Sequence, residues 1–261
     1  MFIKKFFLLL YIAIFNIFII KSILAEETII NFEDGSSYNG EVFEGKMDGK
    51  GFFVSAKNQN NQILKYNGDF KKGKFNGVGT LEFYNGDIYK GDFFEGVMHG
   101  KGTLKYKNGS VYEGLFVKGK KEGKGKILYS DGVIYSGDFI NDKIEGIGKI
   151  VYEEGNEYSG QFFNNLMHGK GTIIFQDGSS YKGNFLNGNY NGEGIFTFPD
   201  GTYYKGEFKN GVRDGPGELV YIDNTRQSGT FKNGDFVGEI IIKFPDGTVQ
   251  KKYIDKLHST Y

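Results

Sequence analysis

Three Gly-Lys pairs, Gly45-Lys46, Gly73-Lys74 and Gly119-Lys120, each stand five residues after another glycine. That is the spacing with which a phosphate-binding loop offers backbone N–H groups and a lysine to a nucleotide. Such a loop needs a Ser or Thr next and a helix behind it. Here Met47, Phe75 and Lys121 follow, and the glycines read as turn residues. His99 and His168 repeat one turn position three units apart, which at ~4.8 Å per strand separates them by roughly 29 Å. They cannot share a metal ion, and each reads as a solvated turn residue; His258 lies in the tail. Carboxylates pair across neighbouring units, Asp92 with Glu113 for example. Acid–base catalysis needs a pocket and two groups driven to different pKa values, and an open polar face provides neither. The chain has no cysteine, hence no thiol nucleophile, thiolate metal site or disulfide. The expectation is a protein that is not an enzyme and uses no cofactor or metal.

What would position any site is a repeat. Gly40, Gly68, Gly91, Gly114, Gly137, Gly160, Gly183 and Gly206 each follow a tyrosine by two residues, and Gly229 continues the series with Gln227 in the tyrosine's place. From Gly68 onward every step is 23; the first step is 28, so five extra residues sit near 55–62. Within one unit, Ile88-Tyr89-Lys90-Gly91-Asp92-Phe93 alternates with period two, as does Lys101-Gly102-Thr103-Leu104-Lys105-Tyr106. Period two predicts half-buried strands. Tyr89, Gly91 and Phe93 share a face, as do Gly102, Leu104 and Tyr106, and the aromatic rings are expected to lie over the strand glycines.

Asn108-Gly109 and its counterparts Asp34-Gly35, Asn85-Gly86, Asp131-Gly132, Asp177-Gly178, Asp200-Gly201 and Asp246-Gly247 read as two-residue hairpin turns, for which such pairs are suited. The other connection, Gly96 to Gly100, reads as a longer turn; its opening glycine becomes Asp142 and Asn165 in two units, side chains that tolerate a left-handed backbone. The predicted fold is all-β: an elongated single-layer antiparallel meander of about nine 23-residue hairpins over residues 26–247.

The polar face carries Lys90, Lys101, Lys105, Lys124, Lys126, Lys149, Lys170, Lys182 and Lys205 among Glu113, Asp138, Glu193 and Glu207. It reads either as a solvated face with cross-strand ion pairs or as a basic stripe, Lys101 and Lys124 within it, for an anionic surface. Tyr89, Phe93, Tyr112, Phe116, Tyr135 and Phe139 are core by pattern and candidates for a ligand surface, because a single sheet leaves part of its aromatic face open.

Glycine contributes 41 of 261 residues with only 3 prolines, which excludes collagen; the wealth of Tyr and Phe argues against disorder. Residues 1–25 carry Lys4, Lys5, Lys21 and no acid, so the balanced chain leaves a slightly acidic body, without the footprint of a nucleic-acid binder. The basic start, the apolar run Phe6 to Ile20, and Ala25 before Glu26-Glu27 read as a helical secretory signal. The run is shorter than the ~20 residues of a span. The mature protein is thus expected in the periplasm or secreted, the alternative being an uncleaved anchor. Residues 248–261 form a cap or tail, with Thr248 to Lys251 able to add a strand and Ile254 to Leu257 a turn.

The unit Tyr89-Lys90-Gly91-Asp92-Phe93-Phe94-Glu95-Gly96-Val97-Met98-His99-Gly100-Lys101-Gly102, recurring from Tyr38 to Gly238, resembles the MORN (membrane occupation and recognition nexus) repeat. The resemblance implies a β-hairpin array that serves as scaffold, dimerisation surface or membrane-proximal tether. The expected function is an exported scaffold for protein–protein interaction or self-association. The alternative is a peripheral membrane-lipid or polysaccharide binder using the lysine stripe or aromatic face. Neither nucleic acid nor a small-molecule substrate is expected as partner.

Overall fold

A computed structural model describes residues 26–56 and 62–254. The signal helix predicted over 1–25, most of the insertion and the end of the tail lie outside these residues. The described residues form twenty β-strands and no helix. All are antiparallel members of one sheet, two strands more than nine hairpins supply. The extra two are β1 (Glu26–Asn31), which precedes the repeats and pairs with β2 (Ser37–Phe43), and β20 (Val249–Ile254), which pairs with β19 (Asp235–Lys243).

The hairpin of β6 (Ile88–Phe94) and β7 (Val97–Lys105) shows how each unit is built. Tyr89 faces Leu104 and Gly91 faces Gly102; the register then shifts, and Phe93 faces Met98. On the other side Leu81 faces Tyr89 and Gly79 faces Gly91. One face therefore collects tyrosine, glycine, phenylalanine and leucine, as the alternation predicts. The shift is a bulge around Gly100, whose φ is +65°. The Asp92 carboxylate accepts the Lys101 N–H there at 2.9 Å. Asp69, Asp138 and Gln161 hold Val78, Ile147 and Lys170 in the same way at 3.0, 2.9 and 2.7 Å. The Asp or Gln that follows Tyr-x-Gly in these units is thus a brace for backbone left unpaired by the bulge.

The two kinds of turn are exchanged relative to the sequence reading. The two-residue turns are Glu95-Gly96 and its counterparts, with φ of +51° and +90°, the paired left-handed conformation that matches strand twist. Asn141-Asp142 and Asn164-Asn165 adopt it without glycine, at +48° and +70° and at +49° and +67°. The Asn-Gly and Asp-Gly pairs lie in three-residue loops instead. The Gly86 N–H donates to Phe83 at 3.0 Å and Phe83 N–H to Asp87 at 2.9 Å, and only the glycine, at +93°, is left-handed. This is a type I turn closed by a glycine bulge. The Asp or Asn is selected for its side chain: Asn85 Oδ1 accepts the Asp87 N–H at 2.9 Å and Asp177 Oδ1 the Ser179 N–H at 2.9 Å.

The tight turns also tie repeats together. The Gly96 N–H donates to the Phe75 carbonyl at 2.9 Å and Gly188 N–H to Met167 at 2.9 Å. The described residues divide into two compact units, one of those up to Asn108 with Phe116–Gly119, the other of Gly109–Leu115 with those from Lys120 onward. The boundary falls within β8 (Val111–Val117), and both units are made of the same hairpin.

Candidate functional site

The repeated residues are consumed in holding the sheet together. Tyr135 lies flat on the facing glycines of its hairpin: a β-carbon added to Gly148 would come within 2.5 Å of the ring, and one on Gly137 within 2.5 Å of the Gly148 backbone. Its phenol donates to the Asp138 carbonyl at 2.9 Å. The ring meets Phe139 of its own strand edge-on at 5.2 Å and Phe162 of the next repeat at 5.3 Å. In the first unit the same ladder joins Tyr38, Phe70, Tyr66, Phe93, Tyr89 and Phe116 at 4.9–5.1 Å. In the second it begins at Tyr112–Phe139, 5.1 Å, and ends at Tyr204–Phe231, 4.8 Å. Such perpendicular contacts set positive ring edges against negative faces. Burial pushes the phenols of Tyr158, Tyr181 and Tyr204 up to about 12 and shifts Tyr66 and Tyr135 upward as well.

These facts locate the six aromatic residues singled out from sequence. Tyr89, Tyr112 and Tyr135 are 0% exposed, and Phe93, Phe116 and Phe139 are 3%, 1% and 1%. They are core, with no open ring face to offer a ligand. What remains reachable on that side is a row the sequence reading missed. It comprises the second residue of the longer strands, set opposite the phenylalanine: Met98 against Phe93 in the first unit, Tyr190 against Phe185 and Arg213 against Phe208 in the second, while Ile144 at this position against Phe139 is buried. Phe75 stacks on Tyr66 at 3.9 Å and Tyr190 on Tyr181 at 3.7 Å. Lys121 Nζ stands 5.6 Å over Tyr112, and the Arg213 guanidinium 5.5 Å over Tyr204 and 5.0 Å over Phe231. Phe75, Met98, Lys121, Tyr190 and Arg213 are half-buried. Their only signal in the sequence is position, two residues past the tight turn, since their type changes from unit to unit.

On the opposite face, Lys124 Nζ pairs with Asp138 Oδ1 at 2.6 Å and Lys149 with Glu157 at 2.7 Å. The hydrogen bond from Lys124, despite partial burial, holds the Asp138 carboxyl below its usual range. Lys101 is exposed, and Asp92 takes its backbone N–H rather than its ammonium. The lysines are thus interleaved with acids rather than gathered into one cationic strip. Apolar side chains accompany them beside the tight turns: Phe94, Val97 and Val117 in the first unit, Ile140, Phe163, Leu166 and Leu186 in the second, 42–56% exposed. His99 and His168 are not solvated turn residues. They are half-buried in strands, against Phe94 at 5.8 Å and Phe163 at 5.7 Å. Among the described residues no group of three or more His, Cys, Asp or Glu is placed to hold a metal ion. Gly45, Gly73 and Gly119 occupy tight turns, with Lys46, Lys74 and Lys120 opening strands.

The MORN repeat profile matches eight tandem segments, residues 38–59, 66–88, 89–111, 112–134, 135–157, 158–180, 181–203 and 204–226. The chain belongs to the MORN repeat family. Beyond the matched segments the MORN hairpin continues once more, in β18 (Arg226–Lys232) and β19. There Phe236 lies 4.0 Å from Phe231, and Phe231 is 2% exposed, although Gln227 replaces the tyrosine. Among curated proteins nothing matches this MORN repeat chain. Among solved structures it is similar to the TCP10 domain of Danio rerio CPAP, at 12% identity over 87% of this chain and 94% of that one, with a TM-score of 0.44. It is also similar to the TCP domain of SAS-4 from Drosophila melanogaster, at 15% identity over 68% and 84%, with a TM-score of 0.30.

Proposed function

We propose that this MORN repeat chain is an exported, non-enzymatic scaffold that binds protein partners across the half-buried row covering its aromatic ladder. One observation carries the reading. The residues that recur are sealed in the core, whereas the half-buried row above them in the second unit changes from Lys121 to Met167, Tyr190 and Arg213. A regular frame with a non-repeating surface is how repeat proteins achieve selective binding. Tyr190 and Arg213 are also the residue types that anchor interfaces. Capture of partners by the tagged protein, followed by crosslinking from this row, tests it: Tyr190→Ala and Arg213→Ala are expected to abolish capture while leaving the strand spectrum intact. Capture that survives both, and no crosslink to the row, would overturn the reading. Export is tested separately by N-terminal sequencing of the protein recovered outside the cytoplasm, where Glu26 is the expected first residue.

A second reading is favoured by the exposed Phe163, Leu166 and Leu186: peripheral attachment to lipid or polysaccharide by the opposite face. Co-sedimentation with anionic vesicles or cell-envelope glycans separates the two, since attachment through lysines must weaken with salt and be indifferent to Arg213→Ala.

A further inference from the structure

We propose that the chain assembles head to tail with further copies of itself, β20 of one copy pairing antiparallel with β1 of the next. This rests on the scaffold reading and names one partner for it. β1 pairs with β2 and β20 with β19, so each presents its other edge with backbone groups that no strand among the described residues takes up. An open edge of this kind is a template for another strand. Both edges are also unusually bare: Ile29 is 70% exposed, Val249 56% and Tyr253 70%.

Register carries the case further. Ile30 faces Tyr38 as Leu81 faces Tyr89, and Gln250 faces Ile242 as Gln227 faces Leu219. β1 therefore ends in the position of a longer repeat strand and β20 in that of a tyrosine strand. Continuing the meander from β20 to β1 of a second copy sets Gln250 opposite Ile30, Lys251 opposite Ile29, Lys252 opposite Thr28 and Tyr253 opposite Glu27. Lys251 and Glu27 then become diagonal neighbours on one face, within reach of each other. Lys251 already holds Glu239 at 3.0 Å with its side chain 66% exposed, and an ammonium has three donors to share.

Charge selects this pairing over the symmetric ones. β1 carries Glu26 and Glu27 and no base, while β20 carries Lys251 and Lys252 and no acid. Joining two β20 edges brings the lysines of both copies to one seam and joining two β1 edges brings two Glu27 carboxylates there, so like edges are rejected. Lysines on an edge strand ordinarily prevent pairing; here the complementary edge of the same chain holds the matching acids. The contact joins unlike edges and leaves one of each free, so growth does not stop at two copies.

Sedimentation velocity on the protein as its producing cell delivers it, over a range of concentration and salt, tests the proposal. The expected result is mass rising beyond a dimer with concentration and falling back at high salt. Lys251→Glu alone and Glu27→Lys alone are each expected to weaken association by about tenfold, and an equimolar mixture of the two to restore it. The strand spectrum of each variant checks that the fold persists. A monomer at every concentration, a species that stops at a dimer, or charge reversals without effect would overturn it. Partner capture dependent on Arg213 in an unassembled protein would leave the scaffold reading standing and remove this one alone.

Discussion

At the scale of the residue, the molecule is organised by a tyrosine that spends both its parts in the interior. The ring needs a floor without side chains, which is why two glycines face each other beneath it; the hydroxyl needs an acceptor, which the carbonyl three residues along supplies. Gly148→Ala places a methyl group into Tyr135, and overpacking of this kind costs about 1–3 kcal/mol, measured as a lower urea midpoint. Tyr135→Phe keeps the ring and deprives the Asp138 carbonyl of its 2.9 Å donor, a loss of about 1 kcal/mol by the same measurement. The smaller effect of the second change separates packing from hydrogen bonding. That the ring covers the glycines was legible from Tyr89, Gly91 and Phe93 recurring at spacing two. The partially exposed cover was not, because Met98, Lys121 and Arg213 share no side-chain property that repetition could reveal.

At the scale of the element, hairpins rather than strands set the register, and the two turn types do so by different means. The tight turn demands two left-handed residues. Where Asn165 replaces glycine at φ +67°, it gains in return: its N–H donates to the Ile144 carbonyl at 3.0 Å and its Oδ1 accepts the Ile144 N–H at 2.8 Å. Asn165→Gly relieves strain and loses that side-chain bond, so thermal unfolding is expected to show little change. Asn165→Ala keeps the strain and loses the bond, a cost of about 1–3 kcal/mol. Equal effects of the two would show that the bond contributes nothing. The turn assignment was the least legible part of the fold. Asp-Gly and Asn-Gly are favoured in two-residue turns, yet here they serve three-residue loops through the side chain of Asp177 or Asn85. Glu95-Gly96 carries the tighter turn with no favourable residue besides glycine. The hairpin meander itself was fully legible, because period-two alternation and a 23-residue step leave little else for the chain to do.

At the scale of the whole molecule, each repeat rests on its neighbours through the ladder, so stability is a sum of like terms along the chain and a small change in every unit adds up. β1 escaped the sequence reading because Glu26 to Asn31 stands outside the repeat and has no glycine or tyrosine to mark it; only pairing with β2 reveals it. The buried phenols supply the test of additivity. Their folded values are raised by burial, Tyr158, Tyr181 and Tyr204 to about 12, against about 10 in the unfolded chain. Between those values the unfolded state releases protons that the folded state keeps, so stability falls as pH rises. The contribution is whole below pH ~10 and is lost through the folded values. Because Tyr158, Tyr181 and Tyr204 lose it over the same range, the hairpins they hold are expected to unfold together between about pH 10 and 12. Phenolate absorbance of the buried rings and the loss of strand signal should then rise together. Replacing Tyr158, Tyr181 and Tyr204 together by phenylalanine is expected to flatten the alkaline decline in stability while lowering stability at neutral pH. Buried phenols that ionised near pH 10 with the strand signal unchanged would mean that the ladder opens ring by ring without the sheet.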